Sequence, residues 1–165
     1  MAVVDRFSTA LTNRNASPPA QSNPQLASGT VLSARATFAL ANGDSIGSTY
    51  RICQLPSNAS IKSIKLFCDA ITSGAADIGL YQTTANGGAV VDADAYASAQ
   101  TIASANVLGI EVAFEARNIT AVEQQVWQDA GLTADPQRMY DLVATLTAAA
   151  AANGDLTFIV EYVIL

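Results

Sequence analysis

Apolar and polar residues alternate along most of the chain, and the alternation predicts strands. Val31–Leu40 (VLSARATFAL) is one, ended by the turn cluster ANGDSIGS. In Thr49–Leu55, Tyr50, Ile52 and Gln54 alternate with Arg51, Cys53 and Leu55, and Pro56-Ser57-Asn58 stops the run. Ile64, Leu66 and Cys68 then share a face opposite Lys65 and Phe67. After the turn TSGAAD, Ile78 and Leu80 oppose Asp77, Gly79 and Tyr81. Val107–Ala116 (VLGIEVAFEA) gives the clearest strand, with Ile110, Val112 and Phe114 on one face. MYDLVATLT and LTFIVEYVIL close the chain as two strands around AAAAANGD, which reads as a hairpin end.

The period changes in two places. Val122, Val126 and Ala130 recur at helical spacing, predicting a helix over Ile119–Ala130 capped by Asn118 or Thr120, with Gly131 past its end. Thr83–Ser104 shows no sustained period and reads as a loop around Asn86-Gly87-Gly88. It has room for a short strand at Val90 and Val91 or a helical turn at Ala93–Ala97. Six to eight strands with close-spaced turns predict a mainly β, antiparallel β-sandwich, jelly-roll-like, with one short helix. A closed barrel is the other architecture the pattern allows.

The first 28 residues differ. NRNASPPAQSNPQ carries three prolines among small polar residues and buries too little apolar surface to fold locally. The division is an extended N-terminal arm, 1–28, and a sandwich domain, 29–165.

Composition narrows the function. Half of the 165 residues are apolar and 13% are charged, against about 25% in an average domain. Such a surface suits a protein partly covered by copies of itself or by partners. Eight basic and 14 acidic residues give a net charge of −6 without a basic cluster, so neither nucleic acid nor an anionic membrane is the expected partner. The N-terminal stretch lacks a signal-peptide pattern, and synthesis in a cytoplasm is expected.

Chemistry finds little footing. The chain has no histidine, which removes the Ser-His-Asp and Cys-His systems and most zinc sites. It has no phosphate-cradling glycine motif. Asp92 and Asp94 could offer oxygens to Ca²⁺, but solvated loop carboxylates are the preferred reading. Glu111 and Glu115 could form an acid/base pair, but an outward polar face explains them better. Cys53 and Cys68 read as buried hydrophobes, with a disulfide possible only if their strands pair. Core packing is preferred over interface anchoring for Trp127 and Tyr140. The expectation is a protein without enzymatic activity, cofactor or metal.

The ordered run STYRICQLPSNASIKSIKLFCDA, ADIGLYQT, GAVVDADAYASA, EVAFEARNI and VWQDAGLTADPQRMYDLVATLT resembles the small head decoration, or cement, proteins of tailed bacteriophages. The likeness spans Thr49–Leu165 and contains no catalytic signature. It implies a β-sandwich on the outer surface of a virion, with the major capsid protein and further copies of itself as partners, a trimer among the states it suggests. A neck, tail or head-fibre base protein is the alternative role, and a small glycan-binding domain a more distant one. Candidate contacts are Arg14, Pro18, Pro19 and Pro24 in the arm, Asp92, Asp94 and Tyr96 in the long loop, and Asp135, Arg138 and Tyr140 near the last turn.

Overall fold

A computed structural model describes residues 12, 13, 15–20 and 29–165. Among these described residues, eight strands form two four-stranded antiparallel sheets. They are β1 (Leu32–Leu40), β2 (Thr49–Pro56), β3 (Ala59–Cys68), β4 (Ala75–Gln82), β5 (Val90–Thr101), β6 (Asn106–Glu111), β7 (Met139–Ala148) and β8 (Gly154–Ile164). One sheet runs β1-β8-β3-β6 and the other β2-β7-β4-β5. Successive strands mostly cross between sheets, which is the connectivity of an eight-stranded jelly roll.

The period-2 pattern works where one strand face is buried. In β8, Leu156, Phe158 and Val160 point into the sandwich, and they meet Ile64 and Leu66 of β3 and Ile78, Leu80, Leu142 and Leu146 of the opposite sheet in one core. β7 departs from alternation because both its faces are covered. Asp141 and Val143 point outward yet are buried, with the Arg51 side chain reaching across Asp141.

Three expected elements change. Most of the segment read as a loop, Thr83–Ser104, is the 12-residue strand β5. Its period is hidden by bulges: Ile78 pairs with Ala97 but Leu80 with Asp92, so five residues of β5 span what two span on β4. Gly79 makes the crowding possible, since a Cβ there would meet the backbone of Asp92 and Ala93. The strand read as the clearest, Val107–Ala116, stops at Glu111. Beyond it the chain crosses towards β5, where the Ala116 amide donates to the Tyr96 carbonyl at 2.9 Å.

The expected helix over Ile119–Ala130 is broken in two. A 3-10 turn covers Ile119–Ala121, and α1 is the single turn Val126–Asp129. Two caps compete for the segment. The Asn118 side chain accepts from the Thr120 amide, while Gln125 and Gln128 form a second, reciprocal capping box. Val122 is exposed, so the stripe holds only from Val126. Gly131 does sit just past the end with φ of 73°. The two cysteines lie in different sheets and both are free thiols.

Candidate interaction surfaces

Connectivity sorts the loops into two ends. At one end, residues 41–48, 69–74, 102–105 and 149–153 are bonded to one another. Gly43 N donates to Ala150 O, Ala151 N to Ile71 O and Ile102 N to Gly74 O. At the other end lie the turn at Ser57-Asn58, residues 83–89 and the long connection 112–138. The chain enters β1 there and ends there. Leu32 pairs with Tyr162, and the Leu165 amide donates to Asn58 O.

A buried ion pair fixes the long connection at this second end. Arg117 Nη2 lies 3.0 Å from Asp129 Oδ1, with side chains 3% and 4% exposed. The same nitrogen donates to Ala121 O at 2.6 Å, and the guanidinium stands over the rings of Tyr96 and Phe114. The Tyr96 hydroxyl donates to Asp129 Oδ2 at 3.0 Å. Desolvation dominates here: burial pushes the Asp129 carboxyl up in spite of Arg117, and burial pushes Tyr96 up further. The node ties α1 and residues 114–121 to the bulged part of β5.

A second pair sits on the outer face of the β2-β7-β4-β5 sheet. Arg51 Nη1 bonds Asp141 Oδ2 at 2.6 Å and Gln82 O at 3.1 Å, while Nη2 reaches Gly88 O at 3.2 Å. It holds residues 83–89 against the sheet. Beside it, burial and then the Asp141 charge push the Cys53 thiol up to about 12.

The sequence-derived contact residues divide. Asp94 is exposed and Asp92 half-buried, and burial followed by the hydrogen bond with Asp94 raises the Asp92 carboxyl. Asp135 and Arg138 are exposed at a turn built on Ser57. The Ser57 hydroxyl donates to Asp135 Oδ1 at 2.5 Å and accepts from the Arg138 amide at 3.1 Å. Pro18 and Pro19 are exposed. Arg14 and Pro24 lie outside the described residues. Two residues are corrected. Tyr96 and Tyr140 are buried in the core, at 0% and 1% exposure, and present no surface to a partner. Tyr96 is drawn in by the β5 bulge and its bond to Asp129, and Tyr140 by the inward register of β7. Asp92, Asp94, Asp135 and Arg138, exposed or half-buried, belong to elements that meet at the second end.

Glu111 and Glu115 are both engaged by the backbone. Glu111 accepts from the Ser63 hydroxyl at 2.5 Å and from the Ile64 and Ala113 amides, so it serves the backbone where β6 ends. Glu115 accepts from the Ser98 amide. Among the described residues no cluster of three or more His, Cys, Asp or Glu is placed to hold a metal.

Sequence reasoning missed Arg117 and Asp129, which meet through folding and carry no local signal. It also missed exposed Val107 and Leu108 on β6. The signal there was available: two adjacent large apolar residues cannot both face one core from a regular strand.

No protein-family model matches the chain, and no curated protein matches it. Among solved structures, a chain of the capsid of Ralstonia phage GP4 is similar, with a TM-score of 0.55 and 15% identity over 82% of this chain and 84% of that one. A chain of the cyanophage Pam1 capsid asymmetric unit matches with a TM-score of 0.53 and 16% identity over 83% and 86%. At such identities the likeness is one of fold: the β-sandwich described above recurs over more than four fifths of chains found in two phage capsids.

Proposed function

We propose that the protein is a non-enzymatic structural component of a tailed-phage virion, bound to the outer surface of the assembled capsid and stabilising it by bridging capsid subunits. The observation that carries this reading is the sandwich fold shared with chains of two phage capsids over more than four fifths of each. The partners in this reading are the major capsid protein and other copies of the chain. The physical mechanism is linkage. A protein that binds only the assembled shell stabilises it by its binding free energy, and each bridge must break before the shell opens. Symmetric repetition over the shell multiplies weak contacts.

The surface supports a contact protein. The buried pair Arg117–Asp129 and the part-buried pair Arg51–Asp141 both tie loops to the sheets. The end carrying Asp94, Asp135 and Arg138 is also where residues 29–31 lead into β1. That end is the proposed capsid-facing one, with Pro18 and Pro19 of the arm reaching a neighbouring subunit. A glycan-binding role has less support, because buried Tyr96 and Tyr140 cannot stack on a sugar.

Quantitative mass spectrometry of purified virions tests the reading. Hundreds of copies per particle, a rough expectation from shell symmetry, support decoration. A copy number of about six to twelve supports a neck, tail or head-fibre base instead. Absence from the particle refutes the virion role.

A further inference from the structure

Three Asn-Gly pairs stand in the chain, at Asn42-Gly43, Asn86-Gly87 and Asn153-Gly154, and each follows an alanine. Such a pair carries chemistry as well as a turn. Asparagine is a labile residue, and a glycine after it puts no side chain in the way of its own amide nitrogen, which can attack the asparagine side-chain carbon. With nearly the same local sequence at all three, what separates them is how firmly the fold holds each glycine amide.

Asn42 and Asn153 hold each other. The Asn42 amide donates to Asn153 Oδ1 at 2.7 Å, which commits the Asn153 side-chain carbonyl. The Gly43 amide donates to Ala150 O at 2.9 Å, and the Ala41 amide donates to Asp44 Oδ2 in the same turn. Gly154 opens β8 opposite Leu40, and a Cβ on it would stand 2.6 Å from Ile71 and 2.8 Å from Asp69. Freeing either glycine amide therefore means parting loops that come from distant parts of the chain.

Asn86 is held more weakly. Thr84–Asn86 is a single 3-10 turn without a buried residue, and its N-cap, Thr83, makes no side-chain cap bond. Its bonds are local, from the Asn86 amide to Thr83 O at 2.8 Å and from the Gly87 amide to Thr84 O at 3.1 Å. Asn86 and Gly87 are both exposed. Such a turn opens at little cost, because 3-10 bonds are poorly aligned and its amides face water. Arg51 anchors only the flanks, at Gln82 O and Gly88 O.

We propose that Asn86 is a site of spontaneous deamidation, set apart from Asn42 and Asn153 by the fold. The Gly87 nitrogen gives up its proton and bonds to Asn86 Cγ. The Cγ–Nδ2 bond breaks, and ammonia leaves with the proton. Water then opens the cyclic imide. Cleavage at Cγ leaves aspartate, and cleavage at the backbone carbonyl leaves isoaspartate, with the chain running through the former side chain. Either product adds one negative charge between the two Arg51 anchors. The inference concerns the free chain and does not depend on the virion role.

Peptide mass mapping of the purified full-length chain, incubated in mildly alkaline heavy-oxygen water, tests it. Each conversion takes an oxygen from solvent, which separates it from acid formed earlier. In the folded chain Asn86 should convert ~10-fold or more faster than Asn42 or Asn153, as the difference in local opening requires. In urea the three rates should converge. Asn86→Gln, whose longer side chain closes the ring far more slowly, should lose the conversion there and leave the other two rates unchanged. Equal rates in the folded chain, faster conversion at Asn42 or Asn153, or an Asn86 that stays intact overturns the proposal.

Discussion

Removing Arg117 should destabilise the sandwich more than removing any exposed cation. In Arg117→Ala, Asp129 loses its ion pair, Ala121 O loses its donor, and the rings of Tyr96 and Phe114 lose a cation. Hydrogen bonds involving a charged group contribute ~1.5–3 kcal/mol each, and ring contacts ~0.5–2 kcal/mol each. Against these stands the relief of desolvating Arg117, whose Nε and Nη1 are buried without partners. Breaking a buried pair by deleting one member costs about 3–5 kcal/mol. For a domain of this size that lowers Tm by roughly 6–20 °C. Two controls isolate the cause. Arg35→Ala, at an exposed β1 position, should stay within about 0.5 kcal/mol of the parent. Arg117→Met with Asp129→Leu should recover much of the loss, since replacing both members of a buried pair with apolar residues is often neutral. Thermal and urea unfolding followed by near-UV circular dichroism provides the measurement. A loss below about 1 kcal/mol for Arg117→Ala would refute the view that this node holds residues 114–129 to β5.

Two further outcomes follow from packing and burial. Gly79→Ala forces a methyl into the backbone of Asp92 and Ala93, which cannot swing aside, and should cost at least ~1–3 kcal/mol by urea unfolding; a loss under about 0.5 kcal/mol would remove the packed bulge from the account. With its thiol near 12, Cys53 should be about one part in ten thousand thiolate at pH 8 and resist iodoacetamide until urea unfolds the chain. Native labelling at the rate of a free thiol would contradict the burial, and a Tm lowered by reductant would contradict the free cysteines.

How much of this was legible in the sequence depends on how many faces of each element are buried. β1, β2, β3 and β8 have period-2 stretches because one face of each looks into the core. β5 lost its period to bulges that only Gly79 permits, and the glycine stands on a different strand. The apolar alternation of Val107–Ala116 outlasted its strand, because Val112 is buried after the chain has left the sheet. In the candidate contact set, Asp94, Asp135 and Arg138 are exposed, Asp94 on β5 rather than in a loop, whereas Tyr96 and Tyr140 are core residues. The charge pairs Arg117–Asp129 and Arg51–Asp141 were invisible, since their partners lie 12 and 90 positions apart.

The most direct test of the central claim is cryo-electron microscopy of the purified particle, with this chain placed and counted. The account predicts many copies on the outer shell. Each should turn the end bearing Asp94, Asp135 and Arg138 towards the capsid and span more than one subunit. A low-copy ring at the portal or tail, or a shell without this chain, would contradict it.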